Sequence, residues 1–530
     1  MTILLDRRKL LAGAGGLTLF SGLASHVSAR AVEFTENPFS LGVASGDPWP
    51  DGFVIWTRLA PRPLEEHSGM PMVAVPVQWE VAEDERFTRI VQSGQAVARP
   101  ELGHSVHVEV GGLKPFWRYW YRFRVEGVEA SPVGRARTAP MADATPDQVR
   151  MAVAGCQSFP GGWYSAYRHL SEEADLDAVF HYGDYIYETG GGRRTLPIIT
   201  DASGNVVSRD HVGGEIYSLD DYRRRYAQYK SDPDLQAAHA AAAFISSFDD
   251  HEVDNNWAER YDQDGTPPEA FLLRRYAGMQ AWYENMPVRR SQFPRPNGLT
   301  MYRRLDYGRL FRMHVMDTRS YRSDQLCARA GRPACRPQET PDSTMLGAAQ
   351  EAWLADGLGN SARWNLIAQQ VWVMQLNDRQ ADGTVQPRPG EDTWNGYPAA
   401  RRRLVKTIMD RDLTNVVIAT GDAHIHAGGS VAVRDHEPDG PAAATEFLAT
   451  SISSAGDGAA ELTESAQRLK DGSPHIQLLR QQRGYQTFDI TPTEWRTDIK
   501  VMDKVQSPNG RLSTLARFAV TPDAPVLHTA

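Results

Sequence analysis

Cysteine is scarce in this chain, with three among 530 residues. Cys327 and Cys335 lie in a Gly/Pro/Arg-rich stretch with no further Cys or His nearby, which argues against a thiolate metal site there. An exported protein can oxidise such a pair, so a loop staple fits them better. Long basic runs are absent as well, and the formal net charge is −9. That argues against a nucleic-acid groove but leaves room for a small anionic substrate if metal ions supply the positive field. No Gly-x-Ser-x-Gly elbow or other serine motif is present, so nothing points to a serine nucleophile. There is no internal repeat.

The apolar stretch near the N-terminus is too short and too rich in glycine to span a bilayer comfortably. It follows Arg7-Arg8-Lys9-Leu10-Leu11 and ends near Leu23, before a small-residue cleavage pattern at Ala29-Arg30-Ala31. These features predict a cleaved export signal of twin-arginine character over residues 1–31. Its removal takes away a net three positive charges and leaves the mature chain near −12. The twin-arginine route carries folded proteins, often with cofactor already in place, which suits a metalloenzyme exported to the periplasm or beyond.

The length predicts two or three domains, and 23% charged with 41% hydrophobic residues describes an ordinary globular protein. Residues 38–140 read as a small β-sandwich. Phe53–Thr57 is a buried run, Val75–Ala82 alternates, Val106–Val110 follows, and Trp117–Val125 interleaves aromatics with arginines. That interleaving has a period of two, so the arginines read as a solvated face rather than a stacking surface for bases. After a linker at Thr138–Pro146 the period changes. Strands at Val149–Ala154, Ala178–Tyr182, Phe244–Phe248, Phe311–Met316, Trp364–Val373 and Asn415–Thr420 alternate with helices near Gly162–Glu173, Tyr222–Gln236, Glu269–Met286, Gln350–Leu358 and Ala399–Arg411. Residues 147–520 therefore read as a layered α/β domain.

Metal-ligand residue types recur where these strands end, the place where open α/β sheets hold ligands. Cys156 follows the first strand; an inert buried thiol is the bland reading, and its position shifts the balance towards a ligand. Asp184 and Tyr187 follow the second and offer two hard oxygen donors. Tyr187 on its own would read as an interfacial aromatic. Asp249-Asp250-His251-Glu252 follows Phe248, and a solvated acidic turn is the alternative there. Asp422 and His424 alternate after a buried strand, which predicts that both point to the same side. Repetition at four strand ends predicts a dinuclear metal site.

The chain resembles PhoD-type alkaline phosphatases, within the calcineurin-like metallophosphoesterases. The resemblance rests on Asn37–Asp47, Gly155-Cys156-Gln157, Gly183-Asp-Tyr-Ile-Tyr-Glu188, Asp249–Asn256, Asp317–Arg322, Trp394–Pro398 and Gly421-Asp-Ala-His424, in that order. It implies a four-layer α/β/β/α sandwich preceded by a small all-β, fibronectin- or immunoglobulin-like domain. It also implies a ferric ion held by Cys156, Tyr187 and His424, with Asp184 bridging to a second metal. Asp250 would replace the superfamily's metal-binding asparagine, and Asp422 the first histidine of its Gly-His-x-His motif. Carboxylates there make the second site hard and oxygen-rich, which favours Ca(2+) beside Fe(3+). His251 would contact the phosphate and assist proton transfer.

The activity so implied is phosphoester hydrolysis by metal-activated hydroxide on small substrates, with His251 as proton donor. Two other readings stay open. One is a phospholipase D-like phosphodiesterase acting on lipid head groups, and the other a non-catalytic binding protein that uses its β-domain. Arg319 is read either as a bidentate phosphate donor or as a buried ion-pair partner of Asp317. Gln369, Gln370 and His426 lie near strand ends without an assigned role, His426 with a guessed lining position.

Overall fold

The strand Val416–Thr420 is buried from end to end. Val417 and Ala419 join an apolar cluster with Phe180 and Phe488, while Val416 and Ile418 join another with Leu404 and Ile408. A strand alternates its side chains between two faces, so one covered on both sides must lie between layers. Trp364–Ala368 does the same, with Leu366 in the first cluster and Ile367 in the second.

These strands belong to a seven-stranded sheet in the order Arg303–Tyr307, Phe311–Val315, Trp364–Ala368, Val416–Thr420, Ala442–Leu448, His426–Ala432, Ile476–Arg480. A ten-stranded sheet packs against it. Its order is Ala524–Thr529, Leu512–Thr521, Trp495–Met502, Gly484–Ile490, Val149–Ala154, Ala178–His181, Ala243–Ser246, Val43–Trp49, Gly52–Arg58, Ser105–Val110. Rings from the two sheets meet in the space between: Phe447 with Phe488 at 5.8 Å and Trp364 with Trp495 at 5.7 Å between centroids. Helices Gly347–Gly357 and Pro398–Asp410 cover the seven-stranded sheet through Leu354, Leu404 and Ile408. Helices Ser165–Ser171, Leu219–Lys230, Pro233–Ala241 and Pro268–Asn285 contribute Leu170, Tyr226, Leu235 and Met279 to the core on the side of the ten-stranded sheet. The layers are α/β/β/α, as the sequence implied.

The computed structural model describes residues 32–530 except 193–196, 296–297, 326–339, 341 and 389. The expected signal and the pair Cys327 and Cys335 lie outside the described residues. Residues Phe34–Ala530 form one unit. Within it, the N-terminal β-region divides between two sheets: Val43–Trp49, Gly52–Arg58 and Ser105–Val110 extend the large sheet, and four strands form a sheet of their own. Phe53 on the first packs against Tyr119 and Tyr121 on the second, with centroids 6.3 and 6.4 Å apart. Tyr119, Tyr121 and Phe123 point inward while the interleaved arginines stay partly exposed, Arg122 pairing with Glu80 at 2.6 Å.

The strand expected over Trp364–Val373 ends at Ala368. The side chains of Gln369 and Gln370 explain the break, because they take over backbone groups that a continuing strand would use. Gln369 accepts from the Val371 N–H at 3.2 Å, and Gln370 accepts from the Thr318 N–H at 3.1 Å and donates to the Met316 carbonyl at 2.8 Å.

Candidate metal centre

Three adjacent, parallel strands of the large sheet end at Ala154, His181 and Ser246. The loops that follow present Cys156, then Asp184 and Tyr187, then Asp249–Glu252. Val416–Thr420 in the other sheet delivers Asp422 and His424 to the same edge. Backbone bonds tie the loops together: Cys156 N–H to Gly183 O at 3.0 Å and Gln157 N–H to Asp184 O at 3.1 Å. Glu252 stitches the next two by accepting from Asp184 N at 3.2 Å, Tyr185 N at 2.6 Å and Asp249 N at 2.8 Å.

Gly183 is required by this crossing. Its φ is +128°, and a Cβ there would stand 2.4 Å from Asp249 N. Cys156, Asp184, Asp422 and His424 all adopt left-handed backbone with φ of 51°, 52°, 65° and 55°. Non-glycine residues rarely do so, and such strain persists where packing over-determines it, commonly at functional sites.

Asp184 is the geometric centre. Its Oδ2 lies 3.2 Å from Cys156 Sγ and 3.0 Å from the Tyr187 hydroxyl, and its Oδ1 takes the His251 N–H at 3.4 Å. Tyr187 OH is also 3.0 Å from His424 Nε2. Three groupings of ligand atoms result, each within 4.8 Å: Cys156 with Asp184 and His424, Asp184 with Asp250 and His251, and Asp249 with Asp250 and Asp422. The structure therefore brings together the six expected metal ligands and His251. Asp422 and His424 arrive for a different reason than expected. They sit in a left-handed turn rather than an alternating strand, and they join different groupings, His424 with Cys156 and Asp184, Asp422 with Asp249 and Asp250.

The electrostatics show a site short of positive charge. Burial, reinforced by neighbouring carboxylates, pushes Asp184 and Asp422 well above the usual carboxylate range. Burial raises Asp249 to about 6 against the pull of Arg319. The Cys156 thiol and Tyr187 phenol are raised too, by burial and then by the Asp184 charge. Burial would also raise Asp250, but Arg319 and His251 outweigh it and hold it down. Burial holds His424 neutral, at about 3. His251 runs the other way: Glu188 and Asp250 overcome its burial and raise it. Asp250 Oδ1 and Asp249 Oδ2 are buried without a hydrogen-bond partner among the described residues. Cations would satisfy these oxygens and reverse the shifts, so the residues present fit a metal centre.

Some functional neighbours escaped the sequence reading. Ser454 donates to Cys156 O at 2.7 Å and lies 2.7 Å from Tyr187 OH. Its place in a serine run soon after the buried strand Ala442–Leu448 was the available signal. Asp392 comes from the loop after the short, exposed strand Val385–Pro387, which no apolar run marks. Arg319 is fully buried and reaches Asp249 at 2.5 Å through Nε and Asp392 at 2.6 Å through Nη1, with Asp250 and Asp422 each at 3.6 Å. Its guanidinium is thus committed to these carboxylates rather than to Asp317, which instead accepts the Arg319 backbone N–H at 3.1 Å. Gln369 and Gln370 brace loops. His426 turns to backbone groups, with Nε2 at 3.2 Å from Lys500 O and Nδ1 at 3.3 Å from Thr450 N.

The family model for PhoD-like phosphatase matches residues 151–499, and that for the PhoD-like phosphatase N-terminal domain matches residues 24–140. The chain belongs to the PhoD-like phosphatase family. It is 44% identical to alkaline phosphatase D of Bacillus subtilis (strain 168) over 526 residues, covering 98% of this chain and 88% of that one. A solved structure of PhoD superposes with a TM-score of 0.87 at 43% identity, covering 94% of this chain and 93% of that one. Purple acid phosphatase PPD1 from yellow lupin seeds shares the fold at a TM-score of 0.51 and 11% identity, over 91% of this chain and 73% of that one. The chain is accordingly a metal-dependent phosphoesterase.

Proposed function

We propose that the chain is an exported alkaline phosphatase D that hydrolyses small phosphate monoesters and diesters at a mixed Fe(3+)/Ca(2+) centre. The convergence of Cys156, Tyr187 and His424 on Asp184, with Asp250 and Asp422 beyond it, supports this reading. A thiol and a phenol beside an imidazole form a donor set suited, once ionised, to ferric iron, while a carboxylate cluster suits a hard divalent ion such as calcium. Asp184, whose two oxygens face different neighbours, would be the residue shared by the two ions. Cations bound there supply Lewis acidity and water activation. The chain's own residues do the rest. His251 faces the leaving oxygen and donates the proton. Arg319 holds Asp249 and Asp392 in place and offsets part of the negative charge when the centre is unfilled.

Residues 147–520 form the catalytic part in this reading, and residues 38–140 a β-sandwich module fused to the edge of its large sheet. Residues 1–31 are the export signal. Among the described residues no helix is long and apolar enough to cross a membrane. Substituting lysine at both Arg7 and Arg8 should leave the precursor in the cytoplasm, measured by fractionation. The substrate assignment is tested by comparing kcat/KM on 4-nitrophenyl phosphate, bis(4-nitrophenyl) phosphate and phosphatidylcholine. Hydrolysis of the first two above the third is expected. Preference for phosphatidylcholine would transfer the assignment to the phospholipase D-like reading.

A further inference from the structure

Glu188 closes the Gly183–Glu188 motif, yet it has no place in the ligand set. It is buried, 2% exposed, and its Oε2 lies 2.7 Å from Nδ1 of His251. The other oxygen accepts the Asn255 N–H at 3.2 Å. A carboxylate at an ionised site can only accept, so Nδ1 must carry the proton on that side of the ring. The His251 ring stacks on Tyr187 with centroids 4.1 Å apart and keeps 15% side-chain exposure. Among the described residues Nε2 makes no hydrogen bond.

The backbone around Glu188 is also fixed. Its carbonyl accepts from Ile216 N at 3.0 Å. The buried Arg225 guanidinium donates to the carbonyls on either side, to Tyr187 and, at 2.9 Å, to Thr189. A carboxylate held this firmly against one ring nitrogen is more than an ion pair. It sets which nitrogen is free and where it points, as an orienting acid does for a catalytic histidine.

We propose that Glu188 is a positioning residue that holds the His251 ring by its Nδ1–H, so that Nε2 carries the proton that meets the leaving oxygen. This deepens, and rests on, the reading of His251 as the proton donor. The test uses metal-loaded enzyme and two monoesters that differ in leaving group. An alkyl phosphate needs its leaving oxygen protonated, whereas 4-nitrophenyl phosphate releases a stable anion and scarcely does.

Glu188→Ala should lower kcat on the alkyl ester by on the order of 10²-fold, with a much smaller loss on the nitrophenyl ester and little change in KM. Glu188→Gln should recover most of the alkyl rate, because its amide oxygen can accept from Nδ1–H. Metal content and visible spectrum should match the parent in both variants. Equal loss on both esters, or no recovery of the alkyl rate in Glu188→Gln, would overturn the role of Glu188. His251→Gln in the same assay separates the two claims: if it too fails to discriminate between the esters, the proton-donor reading itself falls. If it discriminates and Glu188→Ala does not, only the role of Glu188 falls.

Discussion

At the scale of single residues, Asp184 is the point on which the centre turns. Its Oδ2 faces Cys156 and Tyr187, and its Oδ1 faces the His251 backbone. Asp184→Asn keeps the size but removes the carboxylate's charge and turns one of its two acceptor oxygens into a donor NH2. It should lower kcat/KM by at least about 10²-fold with little change in the unfolding midpoint, checked by steady-state kinetics and circular dichroism. Near-normal turnover would place the bridge elsewhere. Arg319 has the opposite profile. It is fully buried and matched to Asp249 and Asp392, so Arg319→Met leaves uncompensated carboxylates. Such broken buried pairs cost about 3–5 kcal/mol, and urea unfolding of the metal-depleted protein should show a loss of that order.

At the scale of elements, buried parallel strands and the loops at their C-terminal ends do the positioning. Gly183→Ala tests this. The added Cβ would meet Asp249 N at 2.4 Å, and the residue already sits at a φ of +128°. Strain and clash together should cost about 2 kcal/mol or more, and activity should fall with the displaced Asp184, measured by thermal unfolding alongside rate. The strand ends were legible in the sequence because each strand is a continuous apolar run stopped by polar ligand types. The strand ends marked where ligand types recur, and the family resemblance then singled out the six ligand candidates and His251. What stayed hidden depended on side chains that bond backbone. Trp364–Val373 read as one strand because its apolar pattern continues, whereas Gln369 and Gln370 end it by hydrogen bonding. The turn that places Asp422 and His424 was hidden likewise, since left-handed aspartate and histidine carry no glycine to mark them.

At the scale of the whole molecule, the two stacked sheets bury several histidines as neutral rings. His107 is pushed down to about 4, and His181 and His314 to about 3, in each case chiefly by burial. Unfolded histidine titrates near 6.5, so the unfolded chain binds these protons first as the medium is acidified. Stability from this source is full above about pH 6.5 and declines as pH falls towards 4 and 3. The unfolding midpoint measured between pH 8 and pH 4 should therefore drop below about pH 6.5, independently of substrate or product. The same layered architecture explains why ligands 268 residues apart in sequence, Cys156 and His424, share one cluster: each follows a buried strand in a different sheet, at a common edge.

The central claim is that this edge holds iron between a thiolate and a phenolate, with calcium beside it. The most direct test is elemental analysis together with the visible spectrum of correctly exported, purified protein. The account predicts about one iron per chain, bound calcium, and a charge-transfer band that disappears in Cys156→Ser. Colourless, iron-free protein with full phosphoesterase activity would contradict it.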